Sequence, residues 1–161
     1  EDAEVPAEFR EVFIEESEEI VQEISRLTPL WLQQREDQEM LREIRRHFHT
    51  FKGNGRAVGA NILGELGWSV QDMLDRVLDG DLKVSPAIEC LLKEVVAALP
   101  DLVMSYKEEN AWDPSHVRLL TDRAFRIAEG GQEDMAAGLS QVEENVHGGA
   151  DDAPVSETLG Q

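Results

Sequence analysis

Apolar residues recur every three or four positions along most of this chain, and those stretches predict helices. The first runs from about Pro6 to Leu27, with Phe9, Phe13, Ile20, Ile24 and Leu27 at helical spacing and acids over much of the remainder. Thr28-Pro29 then reads as a start signal, Thr as cap and Pro at the first helical position, opening a short separate helix over PLWLQQ. A second long helix spans about Asp37 to Val58. A third runs from about Ala60 to Asp79, with Leu63, Leu66, Val70, Met73 and Val77 inward and Gly80 as its stop. Ser85-Pro86 starts a fourth, reaching about Asn110, with Ile88, Leu91, Val95, Leu99, Leu102 and Tyr106 as a wide apolar stripe. Pro100 lies inside it and is expected to kink or split it, because proline lacks an N–H and clashes one turn back. Asp113-Pro114 caps a fifth helix ending near Glu129.

No stretch alternates as a strand does. Long amphipathic helices with short links imply an all-α, up-down antiparallel four-helix bundle, with an additional C-terminal helix and a short helix after the first. The bundle is expected to occupy residues 1–130. Residues 131–161 carry no Lys, Arg or aromatic residue and are rich in Gly, Ala and acids, the composition of a disordered tail or interdomain linker. The 161 residues suffice for one domain with a real core. The chain opens on Glu1 rather than Met, so it is expected to be part of a longer protein.

Charge narrows the function. A net charge of −19 argues against nucleic acid as a partner, which demands a broad basic surface. No apolar run approaches the ~20 residues that span a bilayer, and no signal peptide is visible. Cys90 is the only cysteine, so no intrachain disulfide forms; a cytoplasmic setting is expected, with Cys90 as a packed core thiol. Trp31 and Trp68 read as packing residues.

One stretch breaks the acidic pattern. Residues 41–60 hold Arg42, Arg45, Arg46, Lys52 and Arg56 against a single acid, Glu43. On a helical wheel Leu41, Ile44, Phe48, Phe51 and Val58 form the core side, with Gly55 among them. His49 lies about 120° from the centre of that side, and all five cations together with Gly53 fall within about 60° of it. His47 points about 160° away from His49, toward the flank of the core, so the two histidines cannot act as a pair. They are also two residues apart, whereas helical metal ligands need a spacing of three or four, and no metal site is expected. An imidazole with cations beside it suits phosphoryl chemistry: a neutral ring nitrogen is a nucleophile near physiological pH, and Lys52, one turn on, offsets the charge of a phosphoryl group. Gly53 and Gly55 each cost a helix about 1 kcal/mol relative to Ala, so steric access or tight packing is their expected use.

HTFKGNGRAVGA resembles the H-x-x-K-G signature of histidine phosphotransfer (HPt) domains of the CheA-like subgroup. The ordered set FIEESEEIVQEI, TPLW, IRRHFHTFKGNGRAVGA, LGELGWSVQDMLDRVLDG and AALPDLV is most similar to modules of ChpA/PilL-type chemotaxis kinases that control twitching motility, over roughly residues 8–128. The resemblance implies a helical bundle with an exposed histidine, here His49, phosphorylated on its distal nitrogen, and Lys52 and Gly53 as its neighbours. Phosphate would arrive from a kinase catalytic domain of the same larger protein or from an aspartyl-phosphate, and would leave to a CheY-like response regulator. Mg²⁺ and ATP would be supplied by those partners, with no cofactor in this domain. Arg42, Arg45, Arg46 and Arg56 would form the docking surface, and the isolated domain would be a monomer. The chain itself carries no P-loop, as expected of a phosphoacceptor rather than an enzyme with its own ATP site.

One position departs from the pattern. CheA-like modules commonly place a glutamate on the next helix against the proximal ring nitrogen, and ungapped alignment puts Gln71 there. A neutral amide fixes the tautomer but stabilises an imidazolium less than a carboxylate does. Slow phosphorylation by a kinase, or loading mainly by back-transfer from a regulator, is the expectation, and Gln71→Glu should speed labelling. Asp72 and Asp75 lie close by, but wheel position favours neither. Two other readings compete: a scaffold that binds a regulator without phosphorylation, and a plain bundle whose basic stripe contacts an acidic neighbour such as its own tail.

Overall fold

The computed structural model describes residues 5–108 and 114–130. The expected tail, and the Asp113 cap, lie outside these residues. Five helices are present: α1 Ala7–Gln33, α2 Gln38–Ala57, α3 Asn61–Leu78, α4 Pro86–Lys107 and α5 Pro114–Ala128. Among the described residues there is no strand.

Local chemistry sets most ends. The Asp37 carboxylate accepts from Met40 N at 3.0 Å to open α2, and Ser85 Oγ accepts from Ile88 N at 3.4 Å ahead of Pro86 to open α4. Caps of this kind contribute about 1 kcal/mol each. Gly59 and Gly80 follow α2 and α3 with φ of +78° and +86°, a left-handed turn that a side chain would strain.

One proline expectation is overturned and the other narrowed. No separate short helix follows α1: Thr28-Pro29 lies inside it, and Pro100 does not split α4. Both prolines face outward, where the carbonyl one turn back finds water in place of the lost N–H. In α1 the inward residues Thr28 and Trp31 are buried, and that packing carries the helix past Pro29.

α2 lies antiparallel between α1 and α3, α1 pairs with α4, and α5 lies between α3 and α4. α5 runs alongside α3 in the same direction, Phe125 meeting Trp68 and the residues near Arg118 meeting Asn61 and Ile62. It is no appendage, since Val117, Leu120, Ala124 and Ile127 all enter the core. From α2 the core takes Leu41, Ile44, Phe48 and Phe51, each burial contributing about 1.5–3 kcal/mol. Phe9, expected to face inward, is 57% exposed near the open end of α1, and Cys90 is half-buried rather than packed in the core, its Sγ 4.0 Å from a Glu94 carboxylate oxygen.

The α2–α3 contact positions the site, and small residues make it close. A Cβ on Gly55 would stand 3.1 Å from Gly64 N. One on Gly67 would stand 3.1 Å from Lys52 N and 3.2 Å from Phe48 O. The two backbones therefore touch directly, from the level of His49 at Phe48 and Lys52 on to Gly55.

Candidate functional site

His49 projects from the middle of α2 into solvent. Its Nδ1 lies 3.1 Å from Oε1 of Gln71, a residue only 7% exposed on α3. Gln71 Nε2 in turn donates to Asp75 Oδ2 at 3.3 Å. Arg45 Nε donates to Asp75 Oδ1 at 2.6 Å, with Arg45 Nη2 3.5 Å from Oδ2. A carboxylate only accepts, so the Gln71 amide must turn its NH₂ to Asp75 and its carbonyl to the ring. A carbonyl also only accepts, so Nδ1 carries the proton. The other nitrogen, Nε2, is left with its lone pair directed away from α3.

The remaining expected site residues divide. Lys52 is half-buried one turn on from His49, and Gly53 is exposed with nothing within 4 Å of where a Cβ would stand. Arg42 is exposed, and among the described residues neither it nor Lys52 makes an ion pair. Arg46 pairs with Glu43 at 2.6 Å on its own helix. The Arg56 guanidinium stands 5.2 Å from the centre of the Trp68 ring, whose other neighbour is Phe125, edge-on at 5.3 Å. Trp68 is 41% exposed and belongs to the surface beside the site as much as to the packing. The basic stripe is thus not five free cations: Arg45 and Arg46 are bound within the molecule.

His47 faces the α1 side. Burial, reinforced by Arg46, holds its pKa below the ordinary imidazole value despite the opposing pull of Glu43 and Glu23. It makes no contact with the His49 ring network, as its wheel position requires. Among the described residues no three His, Cys, Asp or Glu side chains stand together as a metal site, and no helix is long and apolar enough to cross a membrane.

Two members of the site were not assigned from sequence, Asp75 and the intramolecular role of Arg45. The signal was present. Antiparallel pairing of His49 with Gln71 brings Arg45, one turn before the histidine, against Asp75, one turn after the glutamine.

An exposed histidine with an oriented ring, the H-x-x-K-G spacing and a bundle of this topology coincide with a family match: residues 8–102 match the Hpt domain family. The chain belongs to that family. Among solved structures, the phosphorylated P1 domain of CheA3 in complex with CheY6 from R. sphaeroides superposes on the Hpt domain with a TM-score of 0.65 at 18% identity, covering 76% of this chain and 96% of that one. At that identity the likeness speaks for the fold. No curated protein matches the chain.

Proposed function

We propose that this Hpt domain is a phosphorelay intermediate of chemotaxis-type signalling, with His49 as phosphoacceptor. The observation that carries the reading is the outward Nε2 of His49, left with its lone pair because Nδ1–H is held by Gln71. That lone pair forms a P–N bond as the bond from phosphorus to the ADP oxygen, or to a regulator's aspartyl oxygen, breaks and its electron pair leaves with the oxygen. Transfer to a receiver aspartate is the reverse of the second route. The domain supplies a positioned nucleophile, the Lys52 cation one turn away and an approach left open by Gly53. Nucleotide and divalent ion belong to the partners. A CheY-like receiver suits this surface, in keeping with the regulator bound to the structural neighbour. Arg42, Arg46 and Arg56, which flank His49 on the same side of α2, serve as its docking contacts.

The finer assignments extend the reading. The ordered motifs favour a module of a ChpA/PilL-type kinase acting in twitching motility, in the cytoplasm, with residues 1–130 as the monomeric module, 131–161 as a tail or interdomain linker and the kinase domain in the same polypeptide. Incubation with a kinase core and ATP, or with a phosphorylated regulator, should give an acid-labile label that His49→Gln abolishes. Label retained in that variant would remove the assignment. A second reading, a docking module that is never phosphorylated, draws on the neutral Gln71; it requires that the wild-type domain capture a regulator yet take no phosphate from any donor.

A further inference from the structure

We infer that Asp75, held by Arg45, is a positioning residue that sets which nitrogen of His49 is the nucleophile. The inference rests on the phosphorelay reading and deepens it. A glutamine amide beside an imidazole has two orientations. With Oε1 toward the ring, the proton sits on Nδ1 and the outward Nε2 is nucleophilic. With the NH₂ toward the ring, Nδ1 becomes the acceptor, the proton moves to Nε2, and the lone pair faces α3, where no donor domain reaches it. A glutamate at this position would need no such selection, since both its oxygens accept. Glutamine does, and Asp75 makes it: only the NH₂ group can face its carboxylate, at 3.3 Å. Arg45 fixes that carboxylate through two N–H groups, at 2.6 Å and 3.5 Å. All four groups are spaced by single helical turns on two helices whose backbones are in contact at Gly67. Their geometry therefore moves as one unit with the α2–α3 pair.

The test is the ring tautomer of His49, read by long-range ¹H–¹⁵N correlation on the neutral ring of the full chain, without any phosphate donor. Wild type should show the proton on Nδ1. Asp75→Asn, whose amide oxygen accepts from Arg45 and whose NH₂ therefore faces Gln71 and draws Oε1 away from the ring, and Asp75→Ala, which removes the acceptor, should both shift the population toward the Nε2–H form. The same variants should slow labelling of His49 by about tenfold, the lower end of what losing an outer-shell partner that orients a histidine costs at metal sites. In a Gln71→Ala background, adding Asp75→Ala should change neither tautomer nor rate, because the lever that transmits the effect is gone. An unaltered Nδ1–H pattern in both Asp75 variants overturns the inference, as does an equal loss of rate with and without Gln71. A wild-type domain that shows Nδ1–H but is labelled by no donor would remove the relay reading while leaving the tautomer assignment standing. The isosteric Asp75→Asn keeps the comparison within a folded bundle.

Discussion

His49 Nδ1 and Gln71 Oε1 meet at 3.1 Å across two helices whose backbones touch at Gly67, and the amide that makes this contact is itself held from behind by Asp75. The contact therefore depends on what stands at position 75 as much as on what stands at 71. Restoring a glutamate at 71 would set two carboxylates together where Gln71 Nε2 now donates, with Arg45 shared between them. The gain expected from a charged partner for the ring should be blunted in Gln71→Glu alone. It should emerge in Gln71→Glu combined with Asp75→Asn, where the new amide donates to Glu and accepts from Arg45. A hydrogen bond to a charged acceptor is about 1 kcal/mol stronger than one to a neutral acceptor. Labelling by the kinase core should then be several-fold faster in the double variant than in wild type, measured as initial rates at fixed kinase.

Gly53 separates access from packing. Nothing lies within 4 Å of a Cβ built there, so the bundle has no steric need for glycine. Gly53→Ala should stabilise α2 by about 0.5–1 kcal/mol, seen as a higher urea midpoint. It should also slow transfer to the regulator, because the methyl group stands in the partner's approach. A variant that is both more stable and unimpaired in transfer would show that Gly53 has no part in docking.

His47 gives the fold a pH dependence of defined sign. Burial lowers its pKa in the folded bundle relative to the unfolded chain, where it titrates near 6.5. Below that value the unfolded state binds more protons, so the contribution to stability is fully present above about pH 6.5 and is lost as pH falls through the folded-state pKa. His47→Gln should flatten this part of the profile. Urea midpoints between about pH 5 and 8 for the two proteins provide the comparison; parallel curves would show that other groups carry the dependence.

The hydrophobic pattern made the helices and the exposed face of α2 legible, because amphipathic spacing depends on one helix at a time. What it left obscure depended on two. Thr28-Pro29 reads locally as a helix start, but Trp31 and Thr28 are buried by their neighbours and draw α1 onward. Phe9 has the right spacing, yet it is 57% exposed. The wheel of α2 puts Gly53 on the solvent side and Gly55 on the core side, but that Gly55 meets the backbone of α3 shows only in the helix pair. Asp75 was ambiguous on the wheel of α3 alone; the register of α2 against α3 decides it, through Arg45.

That register is itself open to test. Gly64 and Gly67 let α3 lie against the backbone of α2: a Cβ on Gly64 would meet Lys52 O at 3.2 Å, and one on Gly67 would meet Phe48 O at the same distance. These are main-chain atoms in helices and cannot rotate aside, so a methyl group must push the helices apart. Overpacking of this kind costs about 1–3 kcal/mol, and Gly67→Ala should lower the urea midpoint accordingly. Because Gln71 is one turn from Gly67 and His49 lies between Phe48 and Lys52, the same shift should stretch the His49–Gln71 contact. Labelling of His49 should fall even under conditions where the variant is fully folded, whereas a surface substitution of equal destabilisation, such as removal of the Asp37 cap, should leave the rate unchanged. Loss of rate in both would make stability, not helix spacing, the controlling quantity.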